Sequence, residues 1–351
     1  MTKDKSIFIK NVYYMLSYAF TLFNQHDYDN IATEKFDNIH SLFAAILSAG
    51  ISRQLKLGLY REYLSHIEDL AVIRGKINMP CTMRNALTRK KIVACEYDNL
   101  SENNILNQIL KTVVFVLLRH AQVDEKYKSV LKKEMLFFSN VDIIDLNNVH
   151  WMSIRFQRNN SAYRMLISLC QLIVEGMLLT TDDGQYKLAS YIDDRQMNRL
   201  YEKFILEYYI REYPEKRTGL RASASRIKWA IDDDMRTMLP EMQSDIMLQK
   251  GNSVLIIDAK YYTHTTQVQY GIHTLHSANM YQIFTYVKNK ECEFNDLPHK
   301  VSGMLLYAKT DEEIVPNNSY QMSGNQIVVK TLDLNCDFGE IKAQLNQIVK
   351  L

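Results

Sequence analysis

The segment "VLIIDAKYYTH", Val254 to His264, ends an unbroken apolar run in an aspartate and sets a lysine two residues further on. In a strand, residues two apart face the same way, so Asp258 and Lys260 project together while Ala259 packs opposite. Asp245 opens the preceding strand, "SDIMLQ", and the "KGN" between the two suits a hairpin turn, which brings Asp245 to hairpin distance from Asp258. Two converging carboxylates are hard oxygen ligands suited to Mg²⁺, and a lysine beside them can hold an attacking water or stabilise charge developing on phosphorus. That set has the layout a phosphodiesterase needs. An isolated D-x-K is more often a weak surface ion pair. Here the apolar run, the second aspartate, and Gln282 and Tyr286 at i,i+4 on one face of the next helix argue for a site.

The elements that position these residues belong to an ordinary globular chain. With 351 residues it exceeds what one core usually organises, and its 47% hydrophobic and 23% charged residues, 11 Gly and 5 Pro exclude a disordered or fibrous class. A formal charge of +2 means that nucleic-acid contact must come from local basic patches. The five cysteines are odd in number, scattered and free of any CxxC pair, which argues against disulfides and zinc and fits a reducing cytoplasm. No run reaches the length of a membrane span, and no small-residue cleavage site follows Lys3, Lys5 and Lys10.

Apolar spacing predicts helices over 9–23, 36–57, 102–119, 161–179 and 193–212, the last stopping before Pro214, and short strands around a turn at Gly75. Beyond Pro214 the order becomes strand, strand, strand, helix, strand, strand, helix, an α/β unit with a mixed sheet. The expected class is therefore α/β (α+β), with a boundary near residue 155 dividing a mixed helical and strand domain, 1–155, from a second domain, 156–351. Gly75-Lys76 lacks the remainder of a phosphate-binding loop, so the chain is not expected to hydrolyse GTP by itself. His273 and His276 lack metalloprotease spacing, and no G-x-S-x-G elbow occurs.

Asp245, Asp258-Ala259-Lys260, Gln282 and Tyr286 together resemble the PD-(D/E)xK nuclease superfamily, in the branch with a glutamine and a tyrosine on the following helix. More narrowly, nearly the whole chain resembles the McrC family, the nuclease subunits of McrBC methylation-dependent (type IV) restriction systems, through "IKNVYYMLSYAF", "NRLYEKFILEYY" and "IIDAKYY". The resemblance implies that Asp245 and Asp258 are Mg²⁺ ligands and Lys260 the catalytic lysine. Glu202 matches an acidic position on the helix leading into the sheet and would be a further ligand, directly or through water; Glu207 lies on the same helix, and Glu202 beside Lys203 also reads as an exposed helical glutamate. Gln282 and Tyr286 would flank the scissile phosphate or the DNA backbone, unless they serve helix packing alone. Ser244 stands where the motif name has proline, a departure that touches backbone shape and not chemistry.

The same resemblance implies a restriction-endonuclease-like C-terminal domain acting on double-stranded DNA. It also implies an N-terminal domain that binds and stimulates a hexameric AAA+ GTPase ring of the McrB type, with GTP entering only through that partner. Two other readings stay open: a regulatory subunit with a silent nuclease fold, and a free-standing repair nuclease.

Overall fold

The computed structural model describes residues 5–20, 36–157, 160, 162–180, 186–188, 192–233, 235, 237–262, 266–269, 272–294, 298–309 and 315–349. The predicted continuation of the first helix to Phe23 lies outside these residues.

Helix α1 spans Lys5–Ala19 and α2 spans Ile39–Leu57. There follow β1 (Glu62–Leu70), β2 (Lys76–Ile77), α3 (Met79–Leu87), β3 (Val93–Ser101), α4 (Ile105–Arg119), α5 (Glu125–Met135) and α6 (Tyr163–Met177). Helix α7 (Asp194–Glu212) leads into β4 (Arg221–Ser223), β5 (Ile246–Lys250), β6 (Ser253–Lys260), α8 (Ser277–Cys292), β7 (Lys300–Ala308), β8 (Asn318–Met322), β9 (Asn325–Leu332) and α9 (Phe338–Ile348). The mixed α/β class expected from the pattern is the one observed. Among the described residues no helix is long and apolar enough to cross a membrane.

The chain forms two compact units, one of residues 43–174 and one of residues 1–42 with 175–351. A single boundary near residue 155, as expected from the pattern, does not describe this division, because the N-terminal segment groups with the C-terminal half. Long-range polar contacts account for this. The Asn11 amide donates to the Leu334 and Cys336 carbonyls at 2.7 and 2.8 Å, and the Tyr14 ring stacks on Phe338 at 4.1 Å.

In the unit holding the C-terminal half, six strands form a sheet in the order β8-β9-β7-β6-β5-β4. β6 runs parallel to β7 and β7 to β9, while the remaining pairs are antiparallel. Parallel strands covered on their faces read as continuous apolar runs, which is why β6 and β7 are buried almost throughout. The expected turn between β5 and β6 is present, with Gly251 in the left-handed region at φ +57°. The first of the three strands expected beyond Pro214 is split into β4 and a two-residue strand at Arg226–Ile227, which pairs with Met242–Gln243.

In the 43–174 unit, β1 and β3 pair over nine residues, Glu62↔Ser101 to Leu70↔Val93. Helix α4 starts later than its apolar spacing suggested because Asn104 caps it, accepting from the Asn107 N–H at 3.2 Å.

Candidate active site

The β5–β6 register ends at Ile246↔Ile257, so Asp245 lies one step further on, opposite Asp258, as the hairpin pattern predicted. Its Oδ2 accepts the Ala259 N–H at 3.0 Å, binding the carboxylate to the strand that carries the other two groups. Asp258 and Lys260 share one face. Lys260 Nζ donates to Asp258 Oδ1 at 2.8 Å and stands 3.8 Å from Asp245 Oδ2. Asp258 is 1% exposed, and its second oxygen, Oδ2, is buried without a hydrogen-bond partner.

Helix α7 supplies Glu202. Its Oε1 accepts from the Asn198 amide, and the Asn198 Oδ1 in turn accepts the Tyr261 N–H at 2.7 Å, just past the end of β6. Glu207, on the same helix, makes no described hydrogen bond or ion pair to this group.

Helix α8 packs on the sheet through Ile283, Tyr286 and Val287. The Gln282 amide donates to the Tyr286 hydroxyl at 3.0 Å, so the predicted pair is joined on one face, but Tyr286 also belongs to the buried core. Asn279, one turn earlier, donates to the Tyr307 hydroxyl at 2.9 Å and accepts from Tyr262 at 3.5 Å; Tyr307 is the β7 partner of Lys260. Sequence reasoning singled out neither Asn198, Asn279 nor Tyr307. The only sequence signal for Asn198 was its i,i+4 spacing to Glu202, which is too common on helices to be informative.

The electrostatics show an excess of negative charge. Burial, then the Asp258 and Glu202 charges, push the Asp245 carboxyl well above the usual range against the opposing Lys260 and Ala259 N–H. Glu202 is also raised, by burial and by Asp258, with Lys260 and Asn198 opposing. Burial works against the Lys260 ammonium, yet Asp258 and Asp245 outweigh it and hold the lysine charged. Burial also pushes the Tyr307 hydroxyl up to about 12. Three carboxylates thus share one buried cation.

Two observations bear on a metal in opposite directions. Among the described residues no three His, Cys, Asp or Glu side chains converge as a ready cage. Against that, Mg²⁺ keeps several waters and needs only one or two carboxylates, and both the charge excess and the unpartnered Asp258 Oδ2 fit a divalent cation. The second observation weighs more, because a wet, sparsely ligated ion requires no closed cage.

A mixed sheet with an Asp, Asp, Lys cluster on adjoining strand ends, backed by a helical glutamate, defines the class of protein on which this site is built. Residues 3–308 match the family described as McrBC 5-methylcytosine restriction system component, and the chain belongs to that family. It is 25% identical over 344 residues, 97% of this chain and 96% of the other, to a protein of Escherichia coli (strain K12) described as "Type IV methyl-directed restriction enzyme EcoKMcrBC". Its fold is similar to a chain of a solved assembly of Thermococcus gammatolerans McrB AAA+ hexamers with bound McrC. That match has a TM-score of 0.54 and 20% identity, and covers 97% of this chain and 75% of the other.

Proposed function

We propose that this chain is a metal-dependent endodeoxyribonuclease, the cutting subunit of a methylation-dependent restriction assembly, which cleaves double-stranded DNA when docked on a GTP-hydrolysing AAA+ ring of the McrB type. The observation that carries the reading is the cluster in which Lys260 Nζ lies 2.8 Å from Asp258 and 3.8 Å from Asp245, with a buried Asp258 oxygen left over.

Asp258 and Asp245 hold the cation, with Glu202 as a further carboxylate reached directly or through water. Mg²⁺, when bound there, supplies Lewis-acid stabilisation of charge on the phosphate oxygens. Lys260 orients the attacking water or offsets charge developing on phosphorus, and the flanking carboxylates keep it protonated for that task. Gln282, its amide oriented by the Tyr286 hydroxyl, faces the DNA backbone.

The 43–174 unit takes the partner. β1, paired along its whole length with β3, is largely exposed, and Tyr63, Ile67, Val72 and Ile73 are more than half exposed. Exposed apolar surface of this kind marks an interaction site. The similar Thermococcus gammatolerans assembly is described as McrB AAA+ hexamers with bound McrC, which supports a ring as the occupant; we extend this to stimulation of that ring's GTPase. The reading places the chain in the cytoplasm, where its DNA substrate and free cysteines fit.

The test is cleavage of methylated and unmethylated plasmid with Mg²⁺, with and without the partner ring and GTP, using wild type and Asp258→Ala. Cutting that needs methylation, partner and GTP, and is lost in the variant, supports the licensed nuclease. GTPase stimulation without cutting makes the chain a regulatory subunit, and cutting without a partner makes it a free-standing nuclease.

A further inference from the structure

Asn198 sits one helical turn before Glu202 and is the side chain that ties this glutamate to the strand bearing the other charged groups. Its amide nitrogen donates to Glu202 Oε1, and its carbonyl oxygen accepts the Tyr261 N–H at 2.7 Å, the residue directly after Lys260. Both polar ends of one amide are thus used, one on the helix and one on the backbone just beyond β6. Nothing else described links Glu202 to that strand end by a hydrogen bond.

We propose that Asn198 is a positioning residue for the cation site: it fixes the rotamer of Glu202 and holds the α7 carboxylate in register with Asp245, Asp258 and Lys260. This rests on the proposed function, in that it takes these carboxylates to hold a divalent cation. Neighbours that orient ligating carboxylates typically alter metal affinity by about 10- to 100-fold when removed.

The experiment is a double-mutant cycle read by Mn²⁺ binding, followed by paramagnetic resonance of the free ion. It uses the full chain as wild type, Asn198→Ala, Glu202→Ala and the double variant, with thermal unfolding of each measured in chelator. Asn198→Ala is expected to weaken Mn²⁺ binding about tenfold. In the Glu202→Ala background the same substitution is expected to change it by less than about twofold, because its target is gone. Equal and additive losses in the two backgrounds overturn the proposal, as does unchanged affinity in Asn198→Ala. Absence of Mn²⁺ binding by the wild type overturns the underlying cation reading instead, so the two failures are distinct. Should Asn198→Ala not fold, Asn198→Ser, which keeps a polar group near Tyr261, replaces it in the cycle with the same expectations.

Discussion

Lys260 Nζ and Asp258 Oδ1 lie 2.8 Å apart on the buried face of β6, in a pair of which Asp258 is 1% and Lys260 9% exposed. Lys260→Met removes the cation and leaves three carboxylates in mutual repulsion. Breaking a buried pair on one side costs roughly 3–5 kcal/mol, so denaturant unfolding of the metal-free variant is expected to show a loss of about that size. Loss of a charge-stabilising group predicts DNA cleavage lowered by about 10²- to 10³-fold. A variant that cuts at the wild-type rate would remove Lys260 from the chemistry.

Ser244 occupies the place where the motif name has proline, and the structure gives it a task. Its N–H donates to the Ser225 carbonyl at 3.0 Å, and its hydroxyl donates to the same oxygen at 3.2 Å. Proline has no N–H, so Ser244→Pro leaves that carbonyl short of both donors at a 1% exposed position. The expected loss is about 1–3 kcal/mol, read as a lower urea midpoint. An unchanged midpoint would show that the bond carries no stability.

Gly303, in the middle of β7, lies under helix α8. A Cβ there would meet Ile283 Cγ1 at 2.7 Å, Val287 Cγ2 at 2.8 Å and Ile327 Cδ1 at 2.9 Å. Gly303→Ala must displace these three side chains, two of them on α8, and overpacking of this kind costs about 1–3 kcal/mol. Because α8 carries Gln282 and Tyr286, cleavage is expected to fall along with the melting temperature. Full activity in a destabilised variant would argue that α8 only packs.

Glu134 in α5 is buried, accepts a hydrogen bond from the Ser52 hydroxyl, and has its other oxygen unpartnered. Burial pushes its carboxyl from 4.5 to about 7, with Ser52 opposing. The folded state therefore holds this proton more tightly than the unfolded chain. The resulting stability is complete below pH 4.5 and disappears as pH rises through about 7. Between pH 5 and pH 8 the wild type is expected to lose on the order of 2 kcal/mol that Glu134→Gln keeps. Parallel pH profiles of the two proteins would refute this.

The hairpin that carries Asp245, Asp258 and Lys260 was legible because its information is local. Strand alternation puts Asp258 and Lys260 on one face, a glycine turn sets the register, and the register puts Asp245 opposite Asp258. Helix α7 was equally legible, since Asp193 caps it and Pro214 follows its end. Strand β3 and helix α3 were not. "VACEYDNLS" alternates poorly because its two buried residues, Ala94 and Cys95, are adjacent and its far end, Asp98 to Leu100, is exposed, and α3 buries only Asn85, so neither carries the apolar period by which elements are recognised.

The sequence by itself thus determined the mixed α/β class, the helices with a buried face, and the Asp245, Asp258, Lys260 hairpin. Only the tertiary structure decided that the N-terminal helix joins the C-terminal half, through contacts such as Asn11 to Leu334. It likewise decided that Glu202, and not Glu207, is joined to the site through Asn198 and Tyr261. Spacing along a strand or helix dictates which side chains share a face, whereas a contact across hundreds of residues depends on how whole elements pack, and no local period encodes that.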